Sequence, residues 1–438
     1  MSNFAIGLTM FGGALALIAL RMPVGIAMLL VGGLGYAEIS GWDRLFATLN
    51  TLTFSRFSSY TLSVIPLFLL MGDFATKGGM NRALFRCARA WMGHWRGGLA
   101  VASIGGCAAF GAICGSSLAT AATMSQVALP EMRRHGYSPA LSTGTLAAGG
   151  TLGILIPPSV ILVIYAIYTE MSIGALFVAA VIPGLIATAG YMLVVNIYTR
   201  LSPGAAPPAE RVPYRERLRA TAEVWPVMMV FVIVVTGIYG GWFSATEGAA
   251  IGAAATGILA VVLGGMRWQG LKESLLSTAE TTGLIFLVLL GAELFSAALA
   301  LSHLPSELSA MVAALPIPPL AILAAIILVY LILGCFMESM AMVLLTLPIF
   351  VPLMLGLDFG LDRTQVLVWF GILVLMSVEV GMISPPFGLN LFVINAMAKD
   401  IPMGETYRGV LPFCLADILR IVILLLFPAL SLWLPGLW

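Results

Sequence analysis

Two short segments of this chain offer chemistry that an ordinary helix cannot. Around residue 153 the sequence reads Gly153-Ile154-Leu155-Ile156-Pro157-Pro158-Ser159, and around residue 381 Gly381-Met382-Ile383-Ser384-Pro385-Pro386-Phe387. Both lie inside long apolar stretches. Proline has no backbone N–H and its ring clashes with the preceding turn, so each Pro-Pro pair interrupts a helix. Lipid cannot satisfy the freed carbonyls, so the breaks must face protein or a water-filled cavity. Matched breaks in the two halves of a membrane chain point to a central binding site.

Two further apolar stretches, about 97–131 and 315–354, have polar, small-residue centres: Gly115-Ser116-Ser117-Leu118-Ala119-Thr120 and Gly334-Cys335-Phe336-Met337-Glu338-Ser339. A chain reversal there leaves carbonyls and hydroxyls free. A dehydrated sodium ion needs such oxygens, and helix C-termini add negative potential. One site could draw on Gly115, Ser116 and Thr120 with Gly153, Ile156 and Pro157. By pseudo-symmetry a second could draw on Gly334, Met337 and Ser339 with Gly381 and Ser384. The competing reading is small residues for close helix packing. Two tips combined with two breaks favour the ion reading.

Glu338 stands inside an apolar stretch, where an unpaired carboxylate costs roughly 2–3 kcal/mol or more. Counting back by 219 places Ala119 opposite it, so the repeat does not account for it. A role in cation or substrate binding and a structural hydrogen bond at the tip both remain open. Ser159 and Asn390 follow the two breaks and are aimed at the same zone. Helix N-termini after each Pro-Pro would present free N–H groups to an anion. Among the other acids, Asp73 and Glu280 fall near an interface, while Glu293 and Glu379 could be functional or structural.

Positioning these residues requires a membrane. The chain has 438 residues, 60% hydrophobic and 9% charged, against about 25% charged in soluble domains. It reads as an all-α polytopic membrane protein. A net charge of +1 gives no sign of a nucleic-acid partner. There is no GxxxxGK[ST] for ATP, no HExxH and no GxSxG, so an enzyme is not expected and the driving energy falls to an ion gradient or a partner. The cysteines form no CxxC pair. Phe4 to Leu20 lacks a basic n-region and reads as a retained span.

Spans are expected near 4–20, 22–39, 60–76, 138–168, 174–199, 223–243, 245–265, 278–300, 365–396 and 409–435. The stretches 97–131 and 315–354 exceed one span of about 20 residues. Each is two full spans or one re-entrant hairpin, and length with polar tips favours hairpins. With the first hairpin entering from the cytoplasm and the second from outside, 17 of the 21 Lys and Arg residues fall inside, Arg44, Arg56 and Arg363 outside, and Arg420 in the last span. The positive-inside rule favours that arrangement.

The halves are related. Gly72 and Gly291 differ by 219, as do Gly115 and Gly334, while Pro130 and Pro348 differ by 218 and the breaks by 228. About ten extra residues are therefore expected near Asp358 to Arg363. The order span, hairpin, broken span recurs with opposite orientation, an inverted-topology repeat. The expected divisions are scaffold helices over 1–59, a first repeat over 60–199, a cytoplasmic linker over 200–222, scaffold helices over 223–277, a second repeat over 278–396 and a C-terminal scaffold helix over 397–438.

The run Gly115 to Thr120, the segment Leu129-Pro130-Glu131-Met132 with Gly136-Tyr137, and Gly149 to Ser159 resemble the large membrane subunit of tripartite ATP-independent periplasmic (TRAP) transporters. So do Gly334-x-Phe336-x-Glu338 and Gly381-x-Ile383-x-Pro385-Pro386-x-Gly388-x-Asn390. The resemblance covers nearly the whole chain. It implies a sodium-coupled importer of a small organic anion, such as a dicarboxylate or sialic acid, in the bacterial inner membrane, with Na+ and no organic cofactor. It implies a periplasmic binding protein and a small four-helix membrane subunit. Residues 1–60 are too few to hold the latter, so a separate polypeptide is expected. It also implies an elevator, with sodium at the tip-and-break pairs and substrate contact at Ser117, Ser159 and Glu338. Family members often carry Asp at the last position. The alternative is a cation or proton antiporter, or a stand-alone anion carrier, with the same repeats.

Overall fold

The computed structural model describes residues 2–207 and 211–437, which are helical with short connections. The chain opens with α1 (Asn3–Ala19), α2 (Val24–Ser40) and α3 (Trp42–Phe57). A repeat follows: α4 (Val64–Lys77), α5 (Met80–Met92), the pair α6 (Gly98–Cys114) and α7 (Ser117–Arg134), the pair α8 (Pro139–Leu155) and α9 (Val160–Thr169), and α10 (Ile173–Leu201). Then come α11 (Tyr214–Tyr239) and α12 (Ala245–Val262). The same order returns as α13 (Trp268–Leu301), α14 (Leu304–Ala313), α15 (Pro319–Gly334) with α16 (Ser339–Leu355), α17 (Arg363–Ile383) with α18 (Leu389–Met397), and α19 (Met403–Leu426), before the short α20 (Ala429–Leu432). Among the described residues, seven spans are long and apolar enough to cross a membrane, or up to eight if α3 and α4, bent by 55°, count as one.

The two repeats exchange their leading helices. α2 precedes the first repeat but packs along α13 of the second, and α12 precedes the second but packs along α4 of the first. These crossings are backbone-close: a Cβ on Gly291 would lie 2.3 Å from the Gly25 carbonyl oxygen. Without a hydrophobic drive between helices in lipid, such small-residue contacts supply the packing energy. The broken helices are central. The most apolar window of α8–α9 is 89% buried and that of α17 is 100% buried, against 33–44% for α10, α11, α12, α13 and α19. Enclosure by protein is what an interrupted helix needs.

Several expectations change in detail. The segment between 40 and 60 holds α3, which buries only Leu45 of its sixteen residues. α5 is an unforeseen amphipathic helix whose Met80, Leu84 and Phe85 face the core while Arg82 and Arg86 do not. α11 begins at Tyr214, inside the expected 200–222 linker, of which residues 208–210 lie outside the described residues. α19, expected among scaffold helices, packs along α8 and α17.

The register of the repeat is also corrected. Ser117 opens α7 and Ser339 opens α16, an offset of 222. Pro130 and Pro352, not Pro348, therefore match, each the fourteenth residue of its helix. Glu338 is the counterpart of Ser116, not of Ala119, and both are N-caps. The extra residues are split between the second tip, where four residues link the helices rather than two, and the α16–α17 connection with a longer α17.

Candidate ion and solute site

The first tip and the first break touch. α6 ends on Gly115 in the left-handed region (φ 63°), which a Cβ disfavours. Ser116 then caps α7, its Oγ accepting the Ala119 N–H at 3.4 Å. A Cβ on Gly153 would lie 2.4 Å from Thr120 Oγ1 and 2.6 Å from the Ser116 carbonyl oxygen, so no larger residue fits this approach. Pro157 and Pro158 supply no N–H to the carbonyls of Gly153 and Ile154 four residues earlier. Thr120 Oγ1 is buried and has no partner beyond a weak contact with the Cys114 thiol. A buried, unsatisfied hydroxyl costs about 1–3 kcal/mol. Neutral oxygens thus crowd one point where Gly115, Ser116, Thr120 and Gly153 meet. Ile156 and Pro157 continue the break beside them.

The second pair repeats this with differences. Gly334 and Gly381 are backbone to backbone, a Cβ on Gly381 falling 2.5 Å from Gly334 Cα. Ser384 Oγ donates to the Val380 carbonyl at 2.7 Å. Met337 is buried beside the tip. Glu338 caps α16, its Oε2 accepting the N–H groups of Met340 (3.1 Å) and Ala341 (3.2 Å). Both Pro157–Pro158 and Pro385–Pro386 bonds are cis.

Between the tips lies a cavity of about 390 Å³, bounded by Ser116, Ser117, Ile161, Glu338, Ser339 and Met382, with Thr281, Leu284 and Val288 of α13 as its far wall. Ser117 and Ser339, equivalent in the repeat, both donate to Met382 Sδ, at 3.1 and 3.2 Å. A thioether is a weak acceptor, so these hydroxyls can be surrendered to a better one. The N-termini of α7, α9 and α16 all reach this cavity, and no Lys or Arg lines it. Among the described residues no group of three or more His, Cys, Asp or Glu is placed to hold a metal, so a cation here would rest on carbonyls and hydroxyls.

Two expected residues do not line this cavity. Ser159 is fully buried as the cap of α9, accepting the Leu162 N–H at 3.5 Å. Asn390 is fully buried against α8, its Nδ2 donating to the Ala147 carbonyl at 3.2 Å. Glu293 pairs with Arg56, beside a second cavity of about 490 Å³ between α3, α9 and α13. Glu379 joins Thr151, Tyr191, Asp417 and Arg420 in a buried cluster. Sequence reasoning passed over Met382, a plain apolar residue. It also passed over Asp417, although Asp417 and Arg420, three apart in an apolar helix, are a readable signal.

A membrane-embedded helical chain with a twice-repeated hairpin and broken helix, its tips meeting over a central cavity, has the architecture of a secondary transporter. The chain matches the family model described as tripartite ATP-independent periplasmic transporter, DctM component, over residues 11–430, and belongs to that family. It is 38% identical to the C4-dicarboxylate TRAP transporter large permease protein DctM of Pseudomonas aeruginosa, over 87% of this chain and 88% of that one. It is 32% identical to the sialic acid TRAP transporter large permease protein SiaM of Vibrio cholerae, over 97% of each. In fold it resembles the Alcanivorax borkumensis YdaH transporter, at TM-score 0.63 and 17% identity over 88% of both chains. The chain is a large permease subunit, not an enzyme, and a multi-pass protein of the bacterial inner membrane.

Proposed function

We propose that this chain imports a small organic anion in symport with sodium, as the large subunit of a complex with a periplasmic binding protein and a small membrane subunit. The observation that carries the sodium reading is the buried Thr120 hydroxyl, met only by the weakly bonding Cys114 thiol, against the Gly153 break. An ion there would give that hydroxyl and the stranded carbonyls their missing partner. By symmetry, Gly334, Met337, Ser339, Gly381 and Ser384 supply the second set.

The cavity between the tips suits an anion. Three helix N-termini bring positive dipole ends to it, and Ser117 and Ser339 supply hydroxyl donors. The relatives' names speak of C4-dicarboxylates and sialic acid, and a carboxylate fits this donor set. Glu338, which lines the same space, would bound the solute on that side. The hairpins, the broken helices, α10 and α19 would move as one body against α1–α5 and α11–α14, with the larger cavity near Arg56 as the outer approach. In that elevator the tips re-enter rather than span.

Binding of radioactive sodium to the purified chain tests this. Thr120→Val, which keeps shape and removes the oxygen, should weaken saturable sodium binding about 10-fold, roughly 1.4 kcal/mol. Thr120→Ser should restore it. Equal sodium binding in wild type and Thr120→Val would contradict the site.

A further inference from the structure

Arg217 lies in the first turn of α11 and is only 7% exposed. Its guanidinium is held from two sides. The centres of the Tyr214 and Trp91 rings lie 4.9 and 5.8 Å from Cζ, and Nε donates to the Val212 carbonyl at 2.9 Å. Trp91 is fixed in turn by its Nε1, which donates to Thr221 Oγ1 at 2.9 Å. Ring faces attract a cation but do not neutralise it. Among the described residues no carboxylate neutralises it either: Glu216 forms no ion pair with Arg217, and Glu223 is taken by Arg86 at 3.0 Å. None of the described residues accepts a hydrogen bond from Nη1 or Nη2. A buried charge without a counter-charge is costly. A fork with two free nitrogens matches the oxygens of a phosphate.

Other basic groups converge on the same place. Burial, and then the Arg217 and Arg211 charges, push the His94 imidazole below its ordinary pKa, so the three groups are neighbours. His94 Nδ1 is buried and has no hydrogen-bond partner. Around this basic nook Trp91, Trp95, Tyr214 and Leu218 are large and exposed. Tryptophan and tyrosine gather at the level of lipid headgroups. The apolar run of α11 begins only at Val224, seven residues beyond Arg217, or about 10 Å along the helix. The nook therefore sits at the membrane surface rather than in the hydrocarbon.

We propose that this nook binds the phosphate of an anionic phospholipid. Arg217 supplies the buried fork, Arg211 and His94 supply further contacts, and Trp91, Trp95 and Tyr214 bed the glycerol and the upper acyl chains. A soluble phosphate shares the charge but gains nothing from the aromatic rim. The place has a consequence that rests on the elevator proposed above. Residues 93–97 lead from α5 to α6 and carry His94 and Trp95, while residues 202–213 lead from α10 to α11 and carry Arg211 and Val212. These are two of the three connections between the moving and fixed bodies, and one bound headgroup would tie them together. Lipid binding itself does not depend on that reading.

Native mass spectrometry of the full chain, delipidated and then titrated with phosphatidylglycerol or phosphatidylcholine, tests this. The expected result is one phosphatidylglycerol retained about 10-fold more tightly than phosphatidylcholine. Arg217→Gln and Arg211→Gln should each weaken that retention about five-fold. Arg267→Gln, at an exposed arginine that caps α13 outside the nook, should leave it unchanged. If Arg217→Gln does not fold, Arg211→Gln and His94→Gln carry the test, since both residues lie in connections rather than helices. Equal retention of the two lipids, undiminished binding in the folded nook variants, or an equal loss in Arg267→Gln would overturn the proposal. Displacement of the lipid by millimolar inorganic phosphate would also overturn it, in favour of a soluble anion.

Discussion

Glu338 shows how one side chain can be explained by position rather than by chemistry alone. Its Oε2 closes the first turn of α16, the task Ser116 performs for α7. Removing a capping oxygen costs about 0.5–2 kcal/mol, so Glu338→Ala should lower Tm. Glu338→Asp, one methylene shorter but still an N-cap type, should recover most of the loss in the same thermal assay. Gly153 makes the opposite demand. A methyl there would press on Thr120 Oγ1 and the Ser116 carbonyl, and such overpacking costs about 1–3 kcal/mol. Gly153→Ala should lower Tm and also weaken sodium binding, because the same atoms are displaced. The tips and breaks were readable because their meaning is local: glycine at a reversal, Pro-Pro in an apolar run. The pairing of Arg420 with Glu379 was not, because Glu379 lies 41 residues away on another helix and only folding brings them together.

At the scale of elements, hydropathy found the long spans and missed the helices that lie outside them. α3 buries one residue and α5 mixes arginines with its apolar face, so neither stands out as an apolar run. The repeat was readable from paired glycines and prolines, but its register depended on where helices begin. Two prolines in α16 competed for one in α7, and the start at Ser339 decides for Pro352. The exchanged packing of α2 on α13 and α12 on α4 had no local signal, since helices in lipid meet through small residues spread along both partners. Gly291→Leu should force α2 from α13, given a Cβ already 2.3 Å from the Gly25 carbonyl. The expected outcome is a lower Tm with unchanged sodium affinity, because that contact joins α2 to α13 and does not include Thr120.

For the whole molecule, the exchange of leading helices makes one frame from two repeats, and the two hairpins with their broken helices sit on it around a shared cavity. Charge sidedness, composition and the paired breaks already pointed to a carrier of this kind. The proposed solute cavity takes its walls from α4, α7, α8, α9, α13, α16 and α17, a set no single segment announces. Ser117→Ala and Ser339→Ala should each raise the KM for the solute several-fold, on the order of 1 kcal/mol for one lost hydrogen bond, and leave sodium binding nearly intact. The central claim is sodium-driven import through this cavity. Its most direct test is uptake of a labelled C4-dicarboxylate and of sialic acid into liposomes holding this chain and its small subunit, with the matching periplasmic binding protein outside. Uptake of at least one solute that requires an inward sodium gradient and the binding protein, and is strongly reduced by Thr120→Val, is the predicted result. Uptake that proceeds equally without sodium would contradict it.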